Sequence, residues 1–287
     1  MTAIDLQAHS RHSDGELDVA ALVARATQAG VELLALSDHD TVDGVDEAIS
    51  AAAGSGTRIL AAAEISAVDG AHEDLHVLGY GIDHRDPLLR ERLADARADR
   101  ERRAARMAEL LRGAGYSLDD APLQERRRAG KPIGRPHLAG AVLAHPANAA
   151  RLAREGHADV SSFIAANLIP GRPAYAGRTR PTVAEAIGWI HDAGGLAFWA
   201  HPFWDIEQPA EVLAAIDRFR ALGLDGVECF YVTFDREQTL LLADRCEELG
   251  LLRSASSDYH GPEHRLFNRF LAYELHGRTP QLGPLAG

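Results

Sequence analysis

Asp5-Leu6-Gln7-Ala8-His9-Ser10 and, one predicted helix later, Leu33-Leu34-Ala35-Leu36-Ser37-Asp38-His39-Asp40 are the stretches that decide the fold of this 287-residue chain. Each is a short apolar run that ends in carboxylate and imidazole side chains. Between them, residues 18–30 carry helical spacing at Leu22, Val23 and Ala26 and close at Gly30. The alternation continues with a helix at 43–53 and strands at 59–63, leading to Glu64, and at 75–80, containing His76. It returns in the last third. Helices are predicted at 182–193, 210–222 and 235–249. Strands are predicted at 195–200, 226–230 and 251–257. Strands separated by helical segments of this length imply a parallel sheet.

The middle third reads differently. Residues 87–111 form one long Arg-rich helical stretch with weak apolar periodicity, followed by short helices at 136–143 and 160–167. The expected organisation is an α/β barrel domain built from 1–84 and 176–287, with a mostly helical insertion at 85–175. From Arg85 to Lys131 there are thirteen Lys/Arg against nine Asp/Glu, while the whole chain carries a net charge of -12. Such a local excess of four positive charges suits an anion, although a solvated helix laced with ion pairs produces the same pattern.

Composition narrows the function. A chain that is 46% hydrophobic can bury a large core. A protein gripping long duplex nucleic acid by its phosphates would be basic, so that partner is not expected. No apolar run approaches the roughly 18 residues that cross a bilayer. The N-terminus has no charged-then-apolar signal region. Cys229 and Cys246 each lie in apolar segments and read as core residues. A cytoplasmic setting is expected.

The polar residues at the strand ends carry the chemistry. His39, Glu64, His201 and Asp258 each follow an apolar run closely. Gln7/His9 and Asp258/His260 are spaced by two, so on extended backbone both members of each pair face one side. Imidazoles with carboxylates form a ligand set for divalent transition metals, and this mixture suits manganese, iron or zinc better than magnesium alone. Residues at the exits of parallel strands converge on one rim of a barrel. The pattern points to a metal-dependent hydrolase.

The ordered set Asp5-Leu6-Gln7-Ala8-His9-Ser10, Ser13-Asp14-Gly15, Ser37-Asp38-His39-Asp40, Glu64, His76, Gly134-Arg135-Pro136-His137, Ala200-His201-Pro202 and Ser257-Asp258-Tyr259-His260 resembles the PHP (polymerase and histidinol phosphatase) phosphoesterases. The resemblance spans almost the whole chain and is nearest to stand-alone bacterial enzymes acting on nucleotide phosphates. It implies a distorted (β/α) barrel holding two or three divalent metals, manganese foremost, with iron or zinc as alternatives. One metal would take position 7, His9, Glu64 and Asp258. A second would take Asp14, His39 and His260. A third would take Glu64, His76 and His201, with Glu64 bridging. Arg135 and His137 match phosphate-contacting residues of the insertion, and Arg172 offers a second fork for a phosphate. The implied reaction is hydrolysis of a phosphate ester by a metal-activated hydroxide, with His137, Asp40 or water protonating the leaving oxygen.

Gln7 departs from the pattern, standing where a His-x-His pair is expected. An amide oxygen is a weaker ligand than imidazole, so the first metal is expected to be weakly held, absent or of a different kind, while the Asp14/His39/His260 set is intact. The expected substrate is a nucleoside 3′,5′-bisphosphate or the end of a short oligoribonucleotide. The alternatives are a sugar-phosphate or histidinol-phosphatase-like enzyme, and a weakened metal- or nucleotide-binding module. Trp199 reads as barrel core. Trp204 reads equally as rim packing or as a platform for a base.

Overall fold

In the computed structural model, residues 2–70, 72–128, 133–178 and 180–286 are described. Lys131, the last basic residue counted above, lies outside them. The described strands are β1 Ile4–Ala8, β2 Leu33–Leu36, β3 Arg58–Asp69, β4 His72–Tyr80, β5 Leu196–Trp199, β6 Gly226–Tyr231 and β7 Leu252–Ser256. They form one sheet in sequence order. The chain leaving β7 closes it nearly to a barrel: Tyr259 N–H donates to Gln7 O (3.1 Å) and His9 N–H to Tyr259 O (2.8 Å).

The sheet is mixed, which corrects the parallel expectation. β1–β2–β3 and β5–β6–β7 pair parallel, but β4 runs antiparallel to both neighbours. Only two residues separate Asp69 from His72, and a parallel crossover needs about a dozen or more. The third strand also runs past Ala63 to Asp69. Glu64 and Ser66 interrupt the apolar run, yet both are buried, because they line the polar interior of the rim. Glu64 and His76 are thus mid-strand residues of a β3–β4 hairpin rather than strand-exit residues.

The chain divides into two compact units, residues 1–94 with 180–287, and residues 95–179. In the first, α1 Val19–Gln28 and α2 Val45–Ala52 follow β1 and β2. The barrel core holds Tyr80, Phe198, Trp199, Phe219 and Phe230. Helix starts obey local capping chemistry, as where Asp18 accepts from Ala21 N–H (2.9 Å). The long helix α3, Pro87–Gly113, runs across the boundary between the units. The second unit continues with α4 Asp120–Arg128, α5 Arg135–Ala144, α6 Ala149–Glu155 and α7 Val160–Asn167. It has its own small core around Leu111, Tyr116, Leu138, Val142 and Phe163. Back in the barrel, α8 Val183–Asp192, α9 Pro202–Asp205, α10 Pro209–Ala221 and α11 Arg236–Leu249 complete the helices. Among the described residues no helix is long and apolar enough to cross a membrane.

Candidate metal centre

Each arm of the centre is built by a local device that turns a side chain inward. After β1, Asp38 gathers the loop: Ser10 N–H and Oγ and Ser13 Oγ all donate to its carboxylate. Gly15 permits the tight return, because a Cβ there would sit 2.0 Å from His9 O. The loop lays Asp14 against three imidazoles, 3.7 Å from His9 Nδ1 and 3.5 Å from His39 Nε2 and His260 Nε2.

Three other arms use strained backbone. Asp40, His201 and Asp258 are non-glycine residues with φ of 53°, 30° and 52°. Such left-handed positions cost energy and concentrate where surrounding structure enforces them. Asp40 is enforced by Ser66, whose N–H (2.9 Å) and Oγ (3.3 Å) donate to its buried carboxylate. His201 N–H donates to Glu228 Oε2 (2.8 Å). The hydroxyl of Tyr231 donates to Asp258 Oδ2 (2.7 Å), leaving Oδ1 turned to His9.

Glu64 stands at the middle. Its Oε1 lies 2.8 Å from His76 Nδ1 and 3.1 Å from His201 Nε2. Its Oε2 lies 3.1 Å from His9 Nε2 and 3.6 Å from His39 Nδ1. The β3–β4 register explains this reach, since Ser66 pairs with His76 and Glu64 is the diagonal neighbour on the same face. Three overlapping groups result: His9/Glu64/Asp258, His9/Asp14/His39/His260 and His39/Glu64/His76, with potential ligand atoms within 4.8 Å of one another in each. His201 joins the last through His76, 3.3 Å away.

The donor set fits divalent cations. Both nitrogens of His9, Nδ1 of His39 and Oδ1 of Asp258 are buried without a well-aligned hydrogen bond, although His9 Nε2 lies 3.1 Å from Asp258 Oδ1. Buried polar atoms normally have such a bond, so lone pairs converging on a shared space signal ligation. The protonation state of His39 agrees, whereas at His9 and His201 burial is outweighed by neighbouring carboxylates, so each would release a proton on binding a cation. Burial pushes the His39 imidazole down to about 4, so it is neutral with a lone pair available at pH 7. Burial opposes charge on Glu64, but the imidazoles of His39 and His76 outweigh it and hold its carboxyl well below the usual range. For His201, burial is outweighed by its bond to Glu64, which lifts it to about 9.

Gln7 is brought into the centre in another role. Its Nε2 donates to Glu64 Oε2 (2.9 Å), and its Oε1 lies 3.3 Å from Ser256 Oγ. An amide NH2 has no lone pair for a cation, so in this orientation Gln7 supports the central carboxylate. Ser256 Oγ also donates to Glu228 Oε1. Burial raises the Glu228 carboxyl to about 8.

The sequence reading missed Glu228, Tyr231 and Ser256. Glu228 had a visible signal, a charge inside the apolar strand Gly226-Val227-Glu228-Cys229-Phe230-Tyr231, every residue of which is buried. Tyr231 and Ser256 had none, being ordinary strand residues.

Arg135, His137 and Arg172 belong to the second unit. Arg135 opens α5, and His137 Nδ1 accepts the Gly134 N–H (3.0 Å), which places the proton of a neutral ring on Nε2. Arg172 is exposed in the loop after α7. Cys229 and Cys246 are buried free thiols with sulfurs 3.6 Å apart.

Comparison with known proteins gives a consistent picture. The PHP domain model matches residues 5–126. The 3′,5′-nucleoside bisphosphate phosphatase of Chromobacterium violaceum is 33% identical, over 91% of this chain and 88% of that one. A 5′-3′ exoribonuclease of Haemophilus influenzae is 32% identical, over 90% of each chain. Among solved structures, a Bifidobacterium adolescentis protein described as a metal-dependent phosphoesterase superposes with a TM-score of 0.73 at 28% identity, covering 98% of this chain and 93% of its own.

Proposed function

The chain belongs to the PHP family and is a metal-dependent phosphoesterase, and we propose that it removes phosphate from a nucleoside 3′,5′-bisphosphate or from the end of a short oligoribonucleotide. The observation that carries this reading is Glu64, one buried carboxylate whose two oxygens are shared among four imidazoles. Such a carboxylate suits two adjacent cations. The two relatives act on a nucleoside bisphosphate and on RNA ends, which supports the substrate class.

His9, Glu64 and Asp258 would hold one cation, Asp14, His39 and His260 a second, and Glu64, His76 and His201 a third, with manganese first among the candidates. Bound there, divalent cations supply Lewis acidity and lower the pKa of water toward neutrality. The chain's own groups do the rest. Tyr231 and Gln7 fix the carboxylates of Asp258 and Glu64 by hydrogen bonding. Arg135 and Arg172 would bind phosphoryl oxygens with their guanidinium forks, and the second unit would act as the substrate-binding subdomain. His137, with its proton on Nε2, is the preferred donor to the leaving oxygen. Asp40 is better suited to positioning, because its carboxylate already receives two donors from Ser66. The two free thiols fit a reducing cytoplasm.

The test is phosphate release by the Mn²⁺-reconstituted chain over a panel of nucleoside bisphosphates, short oligoribonucleotides, histidinol phosphate and sugar phosphates. Release from the first two classes is expected. Release confined to sugar or amino-alcohol phosphates overturns the substrate class, and nucleotide binding without turnover overturns catalysis.

A further inference from the structure

The large apolar side chains most exposed among the described residues are Ile49, Leu88, Trp204, Leu222 and Leu266. Ile49 lies on α2 and Leu88 on α3, while Leu222 follows α10, so these three sit singly along the helical periphery. Scattered single residues of this kind are ordinary. Trp204 and Leu266 are placed differently. Trp204 lies three residues after His201, and Leu266 six residues after His260. Two of the connections that bring imidazoles to the metal centre therefore also bring an exposed apolar group.

Ring contacts tie Trp204 to the centre. The Trp204 ring centroid is 6.5 Å from that of His201 and 5.6 Å from that of Phe267. Phe267, itself buried, is 5.4 Å from His260 and stacks on His264 at 4.9 Å with an interplanar angle of 11°. Tyr231 closes the circuit, 5.4 Å from His201 and 6.1 Å from Phe267. Trp204 is thus the outer member of an aromatic wall that begins at two candidate metal ligands. Its indole is held by Phe267 on one side and remains 49% exposed. An indole serving only the core would be covered. A half-exposed one packed beside a polar centre matches the lining of small-molecule sites, in which aromatic surface orients a ligand held elsewhere by charge.

We propose that Trp204 is the surface on which the base of the nucleotide stacks while its phosphate ester lies at the metal centre. The inference rests on the nucleotide reading above and adds the residue that recognises the base. Stacking on a π-face tolerates any base, so the site selects for the presence of a base and not for its identity.

The experiment compares adenosine 3′,5′-bisphosphate with the abasic sugar 3,5-bisphosphate as substrates of the Mn²⁺-reconstituted full chain. Trp204→Ala is expected to lower the preference for the nucleoside compound by about 5- to 150-fold, the range of one lost base–aromatic stack. The loss should appear in KM and leave kcat within a few-fold. Trp204→Phe, which keeps a smaller ring, should recover most of the preference. An independent reading uses metal-free protein, where adenosine bisphosphate should quench tryptophan emission in the wild type and not in Trp204→Phe, the other two tryptophans remaining. An unchanged preference in Trp204→Ala overturns the stacking and leaves the phosphoesterase reading intact. A wild type that releases phosphate from the abasic compound and not from the nucleoside compound overturns the nucleotide reading and the stacking with it.

Discussion

The barrel unit and the insertion unit spend their polar residues in opposite ways. The barrel buries its polar groups: Asp5, Gln7, His9, Asp38, Asp40, Glu64, Glu228 and Asp258 are all inaccessible or nearly so. All but His9 are held by a specific partner on another strand or loop. Apart from the buried Arg178, the insertion keeps its charges largely outside, in pairs such as Arg102–Asp99, Arg106–Glu109 and Arg112–Asp120, whose members are all more than a third exposed. Exposed pairs contribute about 0–1 kcal/mol each, whereas a buried charge deprived of its partner costs several. One unit therefore depends on individual residues and the other on charge density and a small apolar core. Substitutions should separate the two behaviours.

The largest effect is expected at His39. It lies 3.5 Å from Asp14 and 3.6 Å from Glu64, inside two of the three ligand groups. His39→Ala should reduce phosphate release about 10³-fold or more, because several kcal/mol of charge stabilisation depend on the cations it helps to hold. Steady-state turnover in Mn²⁺ checks this. Unchanged turnover would sink the metal assignment and the contrast built on it.

Next comes Phe163, at the centre of the insertion core and fully buried beside Tyr116, with ring centroids 5.1 Å apart. Phe163→Ala should cost about 3–5 kcal/mol of stability. If the units differ as argued, the loss appears in thermal unfolding while Mn²⁺ stoichiometry by elemental analysis is kept. Loss of bound metal in the folded variant would break the comparison.

Within the barrel unit, elements differed in how much could be read from sequence. Strands with continuous apolar runs, such as Leu33–Leu36, were legible, as were helices with clear caps at Asp18 and Asp235. The β3–β4 hairpin was not, because Glu64 and Ser66 look like the end of a strand when burial of polar groups is invisible. Candidate ligands were legible through their order and spacing, a signal that survives without three-dimensional information. The residues that hold them were not. Tyr231 reaches Asp258 across 27 positions, and Ser257 donates its hydroxyl to Asp5 across 252. Such partners are set by strand pairing and, for Ser257 and Asp5, by barrel closure, which no local pattern encodes.

Glu228 tests whether these unseen supports matter. It receives the His201 N–H and the Ser256 hydroxyl, and so stabilises the left-handed turn that aims His201. Supporting groups of this type are worth about 10–100-fold in metal affinity. Glu228→Ala should weaken Mn²⁺ binding by that factor, measured by competition with a chelating dye. Glu228→Gln, whose side-chain carbonyl can still accept the His201 N–H, should recover much of it. Equal loss in both variants would assign the effect to the carboxyl group itself and not to acceptance of the His201 N–H.

The smallest predicted effect is a gain, at Gln7. The cluster of His9, Glu64 and Asp258 offers three protein ligands, and Gln7 turns its NH2 toward Glu64 Oε2. Gln7→His places a lone pair where the amide now donates, completing a His-x-His pair. Mn²⁺ affinity at that site should rise about tenfold, within the span that single changes around metal sites produce. The gain is bounded because imidazole would lose the Ser256 contact that the amide oxygen makes at 3.3 Å. Isothermal titration on the full chain should resolve the change as one tightened site with the others unmoved. No change in affinity would mean that the wild-type amide rotates when a cation arrives, presenting Oε1 to the metal and Nε2 to Ser256. Gln7 would then be a ligand after all, and the barrel's dependence on individual residues would extend to the one position that seemed to have left the set.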